Sequence, residues 1–293
     1  PQPLPSAAWT ALSPSPVALT EVAAASLGGQ LWVAGGLDAA GNAVDAVLVY
    51  DPAFDGWSSG PTLPEPLHHA TLVAAGGDLW LIGGYVGSSF ATPTATVRRL
   101  DTATGGWTLG PPLPMPRAAG AAAWDGRRLV YGGGVGPRGV SGDVWTLDGA
   151  GWRALGTLSE PREHLAAASD GRGQVWLLAG RVGGLGTGLA TVDLVSGEAV
   201  RRVGRVPTAR GGVAGFYSAK AGACVAGGEV PTGTVPAVEC VDEAGGTTPL
   251  PPLLTPRHGL GAAVVDGIAY VVLGGPRPGL HVSAAVEALR LDG

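Results

Sequence analysis

Short apolar runs of strand length recur along the chain, and six of them stop at a pair of small residues. The pairs are Gly35-Gly36, Gly83-Gly84, Gly133-Gly134, Ala179-Gly180, Gly227-Gly228 and Gly274-Gly275, with steps of 48, 50, 46, 48 and 47 residues between first members. A fixed period near 50 built from short strands is the signature of radial or solenoid repetition, and with four strands per unit it predicts a β-propeller. Each unit reads strand, Gly-containing turn, strand, small pair, long loop, strand, short turn, strand. In the first unit these are Glu21–Ser26, a turn at Leu27-Gly28-Gly29-Gln30, Leu31–Ala34, then Val44–Tyr50, and an outer strand opening at Trp57. Turn residues bound each apolar run, as strand assignments require.

The other units repeat this order with physically sensible exchanges. The strand before the pair carries Trp32, Trp80 and Trp176, and Cys224 in the fifth unit. The third strand ends in an apolar residue followed by Asp, from Tyr50-Asp51 to Leu291-Asp292, and Trp57, Trp107 and Trp152 open the outer strand. Inner strands are built of small residues, such as Ala121-Ala122-Ala123, because strands converging on an axis leave little room. The sixth unit lacks an outer strand, whereas Trp9-Thr10-Ala11-Leu12 resembles an outer strand with no inner strand before it. Residues 9–12 are therefore predicted to pair with strand 286–291 and close the ring, which removes sheet edges that invite aggregation. The expectation is all-β: one six-bladed β-propeller of four-stranded antiparallel blades over residues 1–293. Its blades fall approximately at 13–60, 61–111, 112–156, 157–204, 205–250 and 251–293 plus 1–12.

A double Gly after an apolar strand, Tyr/Leu-Asp, then Trp some residues later, resembles the kelch repeat. Pro116-Arg117, Pro161-Arg162 and Pro256-Arg257 before inner strands fit the same pattern. The resemblance covers essentially the whole chain and departs from the pattern in units four and five, whose outer strands have no opening Trp. It implies a propeller whose loop-rich face docks partners or acidic peptides. Some bacterial kelch propellers are similar to sialic acid mutarotases, which implies a carbohydrate-active mutarotase or epimerase as the alternative.

Composition narrows the function classes. Apolar residues make up 45% and charged residues 14%, with a net charge of −5 and Lys220 as the single lysine. No basic stripe exists, so nucleic acid is not the expected partner. No apolar run reaches membrane-span length. P-loop, nucleophile-elbow, zincin and EF-hand motifs are absent. Gly183-Gly184-Leu185-Gly186 is a loop rather than a phosphate cradle.

The repeat order sorts side chains by face. The lead-in to each inner strand and the long loop after each small pair share one face; the two short hairpins share the other. His68, His69, His164 and His258 lie in lead-in segments and His281 in a long loop, so all five histidines fall on one face. Arg117, Arg162, Arg210 and Arg257 occupy one lead-in position in four successive units, with Glu21 and Glu163 nearby. Forked guanidinium donors match carboxylates and phosphates. Arg117, Arg162, Arg210, Arg257, His68, His69, His258 and Glu21 are therefore the candidate ligand-binding set. The leading expectation is a binding module for a protein segment, glycan or acidic small molecule, monomeric and without cofactor. If the protein is a sugar mutarotase or epimerase instead, Glu163 and His164 are the candidate proton-moving residues. A metal held by His69, His164 and His258 is a lesser alternative, since no close-spaced ligand motif supports it.

Overlaying the units places Cys224 and Cys240 on facing positions of adjacent antiparallel strands. A disulfide there would close a loop of about 16 residues; two buried free thiols are the alternative. A bond would mark an oxidising compartment, periplasmic, cell-surface or secreted.

Overall fold

The computed structural model describes residues 8–149 and 151–291. Six four-stranded antiparallel sheets follow one another around a ring. In the first blade the inner strand Ala23–Leu27 pairs with Gln30–Ala34, that with Val47–Asp51, and that with the outer strand Gly56–Ser59. The same order repeats through the fifth blade, whose strands are Ala214–Ser218, Gly222–Ala226, Val238–Val241 and Thr247–Leu250. In the sixth blade Gly261–Val265, Ile268–Val272 and Val286–Arg290 are completed by Thr10–Ala11. Thr10 lies opposite Ala288 and Ala11 opposite Glu287, so the two ends of the chain share one sheet. Asp292 of the sixth apolar-Asp pair lies outside the described residues.

Each interface between neighbouring blades holds one hydrophobic cluster. Trp176, Val192 and Leu194 of the fourth blade, for example, pack on Ala223, Val225 and Val241 of the fifth. Trp9 enters the cluster between blades five and six. Trp9, Trp57, Trp107 and Trp152 each send the indole N–H to a backbone carbonyl, of Pro251, Ser13, Pro61 and Pro111 respectively. The outer-strand tryptophans thus stitch blades as well as filling the wedge between them. At the axis the inner strands leave so little room that a Cβ on Gly215 would stand 2.4 Å from the carbonyl oxygen of Ala167.

The small pairs join one blade to the next. The amide of the second member donates to the lead-in carbonyl of the following blade, as from Gly84 to Arg117 and from Gly134 to Arg162. The first member is left-handed, and a Cβ on Gly83 would lie 2.4 Å from the Arg117 oxygen. In the sixth blade the equivalent pair is Leu273-Gly274, one residue earlier than the glycine pattern predicts. Leu273 has φ 59°, and it is Gly274 that donates to Leu19. Ala179 takes the same left-handed position in blade four, with φ 55°.

The inner strand of blade one begins at Ala23 rather than Glu21, because Glu21 has φ 54° and cannot lie in a strand. Equivalent residues in the other blades are His69, Ala119, His164, Gly212 and Gly259, all with φ between 50° and 70°. Their backbones form a closed circle of hydrogen bonds about the axis. It runs from His69 N to Glu21 O, then Ala119 to His69, His164 to Ala119, Gly212 to His164, Gly259 to Gly212, and Val22 back to Gly259. Side chains borne on this circle stand at the mouth of the central channel.

Candidate functional site

Above the circle lies a cavity of about 450 Å³, with Glu21, His69, His164, Glu163, Arg181, Glu229, His258 and the buried Tyr85 on its wall and the exposed Phe90 and Leu280 toward the rim. Glu21, His69 and His164 also bound the narrower axial channel below, so they sit at its throat. The left-handed backbone at these three costs conformational energy that the hydrogen-bonded circle offsets, and non-glycine residues held this way cluster at functional sites.

A continuous network links the polar groups. His68 Nδ1 and His69 Nδ1 are 2.5 Å apart, and His69 Nε2 lies 3.0 Å from His164 Nε2 and 3.1 Å from Glu21. The His164 Nδ1–H donates to Glu163 over 2.8 Å, which fixes a lone pair on Nε2 toward the cavity. Arg181 donates to that Nε2 at 3.0 Å, to Glu163 at 3.2 Å and to Glu229 at 2.6 Å. His258 Nδ1 stands 3.3 Å from Glu21 and 3.7 Å from Glu229.

Burial pushes the His69 imidazole down to about 3 and lowers His68 as well, so both are neutral at physiological pH. Burial also lowers His258, but the hydrogen bond and charge of Glu21, with Glu229 beyond, outweigh it and raise that imidazole. Burial opposes ionisation of Glu21, yet the surrounding His69, His258 and His164 hold its carboxyl well below the usual range. Glu163 is likewise held down against burial by His164 and Arg181. Three carboxylates therefore face one guanidinium and one raised imidazole, an acid-rich balance.

The four lead-in arginines are not part of this cavity. Arg117, Arg162, Arg210 and Arg257 are buried, and each turns away from the axis into its own blade. Arg117 pairs with Asp143 at 2.5 Å, Arg162 with Asp193 at 2.8 Å, Arg210 with Glu239 at 2.5 Å and Arg257 with Glu287 at 3.0 Å. They also donate to carbonyls such as Leu177, Gly227 and Leu273. This corrects the expectation that they form the ligand-binding ring: buried guanidinium groups need partners, and the blade interior provides them. An acid on the third strand, 26, 29 or 30 residues after Arg117, Arg210 and Arg257, was the sequence signal for that role.

His68, His69, His164, His258, Glu21 and Glu163 do converge. His258 approaches Glu21 from the side away from His69, so the described group able to surround one ion is Glu21, His69 and His164 rather than the three histidines. Arg181, Glu229 and Tyr85 were not anticipated. All three occupy the residue directly after the small pair, where the chain pairs with the lead-in of its own blade, as Arg181 does with Glu163. His281 lies in the long loop of blade six, its Nδ1 3.2 Å from the Pro278 oxygen.

The Kelch motif family matches residues 18–64 and 66–114, the first two blades. The chain is a six-bladed β-propeller whose first two blades carry the Kelch motif. It is 29% identical over 299 residues to the Kelch-like protein terF of Aspergillus terreus, covering 96% of this chain and 55% of that protein. It is 31% identical over 67 residues to Kelch repeat protein M-T8 of Myxoma virus, which covers 23% of this chain and 13% of the viral protein. The chain thus spans about half the length of the first of these relatives and less of the second. Among solved structures it superposes on YjhT with a TM-score of 0.76 at 16% identity, over 94% of this chain and 96% of that one, a likeness of fold. The cavity is lined by lead-in segments and by loops that follow the small pairs, on one face of the ring. Among the described residues no helix is long and apolar enough to cross a membrane.

Proposed function

We infer that the axial cavity binds a small, neutral, polyhydroxylated molecule, a free sugar or the end of a glycan. The observation that carries this is the cavity itself: about 450 Å³, walled by Glu163, Arg181 and Glu229 as hydrogen-bonding groups, with Phe90 exposed at its rim and Tyr85 packed behind it. That volume suits a small ligand. Carboxylates and guanidinium groups bond sugar hydroxyls, and an aromatic rim offers a face to the C–H side of a pyranose. Phe90 is 58% exposed yet packs its ring 4.8 Å from His68 and 5.5 Å from Tyr85, so it is placed rather than loose. With the lead-in arginines committed to the blades, the acid-rich wall disfavours an acidic ligand. The test is a panel of neutral mono- and disaccharides followed by saturation-transfer NMR and calorimetry. Binding that weakens at least tenfold in Glu163→Gln and Phe90→Ala supports the reading. Binding to none, or equal binding by both variants, overturns it.

A catalytic reading, mutarotase- or epimerase-like, is favoured by one observation: Glu163 and His164 share a 2.8 Å hydrogen bond at the cavity wall beside Arg181. Such a pair can hold and pass a proton. Faster anomer exchange of a bound sugar with wild type than with Glu163→Gln, by NMR, supports it; equal rates exclude it. The Cys224–Cys240 bond supports an extracytoplasmic setting for either reading.

A further inference from the structure

We propose that the throat of the cavity binds one divalent transition-metal ion through Glu21 Oε2, His69 Nε2 and His164 Nε2. This does not rest on the sugar reading, and its test contains no sugar.

The distances are those of a coordination sphere. His69 Nε2 is 3.0 Å from His164 Nε2 and 3.1 Å from Glu21 Oε2, and the ligand atoms of all three residues lie within 4.8 Å of one another. An ion with bonds of about 2.0–2.2 Å spans ligand pairs about 2.9–3.5 Å apart, from right-angled to tetrahedral geometry. Two edges already meet that requirement, and the third closes by a small rotation of the Glu21 side chain. Two imidazoles and one carboxylate on one side, with the cavity open on the other, make a facial set with free positions.

The surroundings hold the ligands in the needed state. A metal-binding imidazole presents a bare nitrogen and uses its other N–H on an outer partner. His164 does so with Glu163 over 2.8 Å. His69 Nδ1 faces His68 Nδ1 at 2.5 Å, so a tautomer switch in the two rings frees His69 Nε2 without net loss of a proton. The ion takes the place of the Arg181 hydrogen bond to His164 Nε2, while Arg181 keeps Glu163 and Glu229. All three ligands sit on the left-handed circle, at matching positions of blades one, two and four, so their backbones are fixed before any ion arrives. The charge balance agrees, since a divalent cation offsets the surplus of carboxylates.

The experiment is a Co²⁺ titration of the untagged, EDTA-treated full chain, read by visible absorption and by calorimetry, with Zn²⁺ as competitor. The expected result is one equivalent of Co²⁺ bound with ligand-field bands, displaced by Zn²⁺. The bands should be lost in His69→Asn and His164→Asn, which tolerate the left-handed backbone, and retained in His281→Ala. Glu163→Gln removes only the outer partner of His164 and should weaken binding about 10- to 100-fold, so the proposal stays testable should an inner variant not fold. No stoichiometric binding to wild type, or bands unchanged in both His69→Asn and Glu163→Gln, overturns it.

Discussion

Arg162 and Asp193 meet at 2.8 Å with both side chains fully buried, one from the lead-in of blade four and the other from its third strand. Arg162 also donates to the carbonyls of Glu160 and Leu177, and the Ser159 amide donates to Asp193. The pair ties the lead-in to the blade that bears it, two residues before His164. The repeated arginine is thus a brace beneath the cavity.

Removing one partner strands the other in a dry interior. Asp193→Ala should cost about 3–5 kcal/mol. Replacing both residues by leucine should cost less than the single change, because no buried charge remains. Urea unfolding of the two variants checks this; a double variant weaker than Asp193→Ala would show that the pair is net stabilising.

The ring was legible because its devices are local and repeat: the small pair, the apolar-Asp step and the tryptophans recur at fixed phase, and Trp9 stands where a missing outer strand must be supplied. The side of the ring to search was legible too, since strand order alone sorts His68, His69, His164 and His258 onto one face. The fate of the arginines was not, because their acids lie two strands away and a guanidinium in a loop looks the same whether it turns inward or outward. Arg181 and Glu229 were hidden at the first loop position after the pair, which gains meaning only when it is seen to pair with the lead-in. The shift to Leu273-Gly274 was hidden because a left-handed leucine is rare and Gly275 offered a better-looking second glycine.

Closure through the chain ends predicts a stability effect far larger than a two-residue strand suggests. Trp9 is 3% exposed and packs with Leu253 and Leu289 across the last interface. Trp9→Ala should cost about 3–5 kcal/mol. Deleting residues 1–12 should lower the melting temperature and promote aggregation, because Val286–Arg290 becomes an open edge. An unchanged melting temperature and solubility would rule out this closure.

All five tyrosines are shifted upward. Burial is the first cause at Tyr50, Tyr85, Tyr131, Tyr217 and Tyr270, and at Tyr50 a 2.6 Å hydrogen bond donated to Asp55 adds to it. Above pH 10 the unfolded chain releases these protons while the folded chain keeps them. The unfolded state then binds fewer protons, so stability must fall as pH rises. The contribution is fully present below pH 10. In an absorbance titration near 295 nm, tyrosinate should appear together with loss of tertiary circular dichroism rather than before it. Ionisation of most tyrosines in the folded protein near pH 10 would contradict the burial described.

Cys224 and Cys240 face one another on the second and third strands of blade five and are joined by a disulfide, with neither residue exposed. Cys224 stands where blades one, two and four carry Trp32, Trp80 and Trp176, so the bond takes over a position elsewhere filled by an aromatic ring. It closes a separation of 16 residues. The chain-entropy model assigns about 3 kcal/mol to a loop of that size, which for a domain this large is about 6–12 °C of melting temperature. Cys224→Ala/Cys240→Ala should lose that much and keep the fold, since the six inter-blade clusters remain. Intact mass after alkylation without reductant should show no label on native protein and two labels once unfolded and reduced. Two labels on unreduced protein would remove both the stabilisation and the argument for an oxidising compartment, because a cytosolic thiol pair needs no bond to be buried.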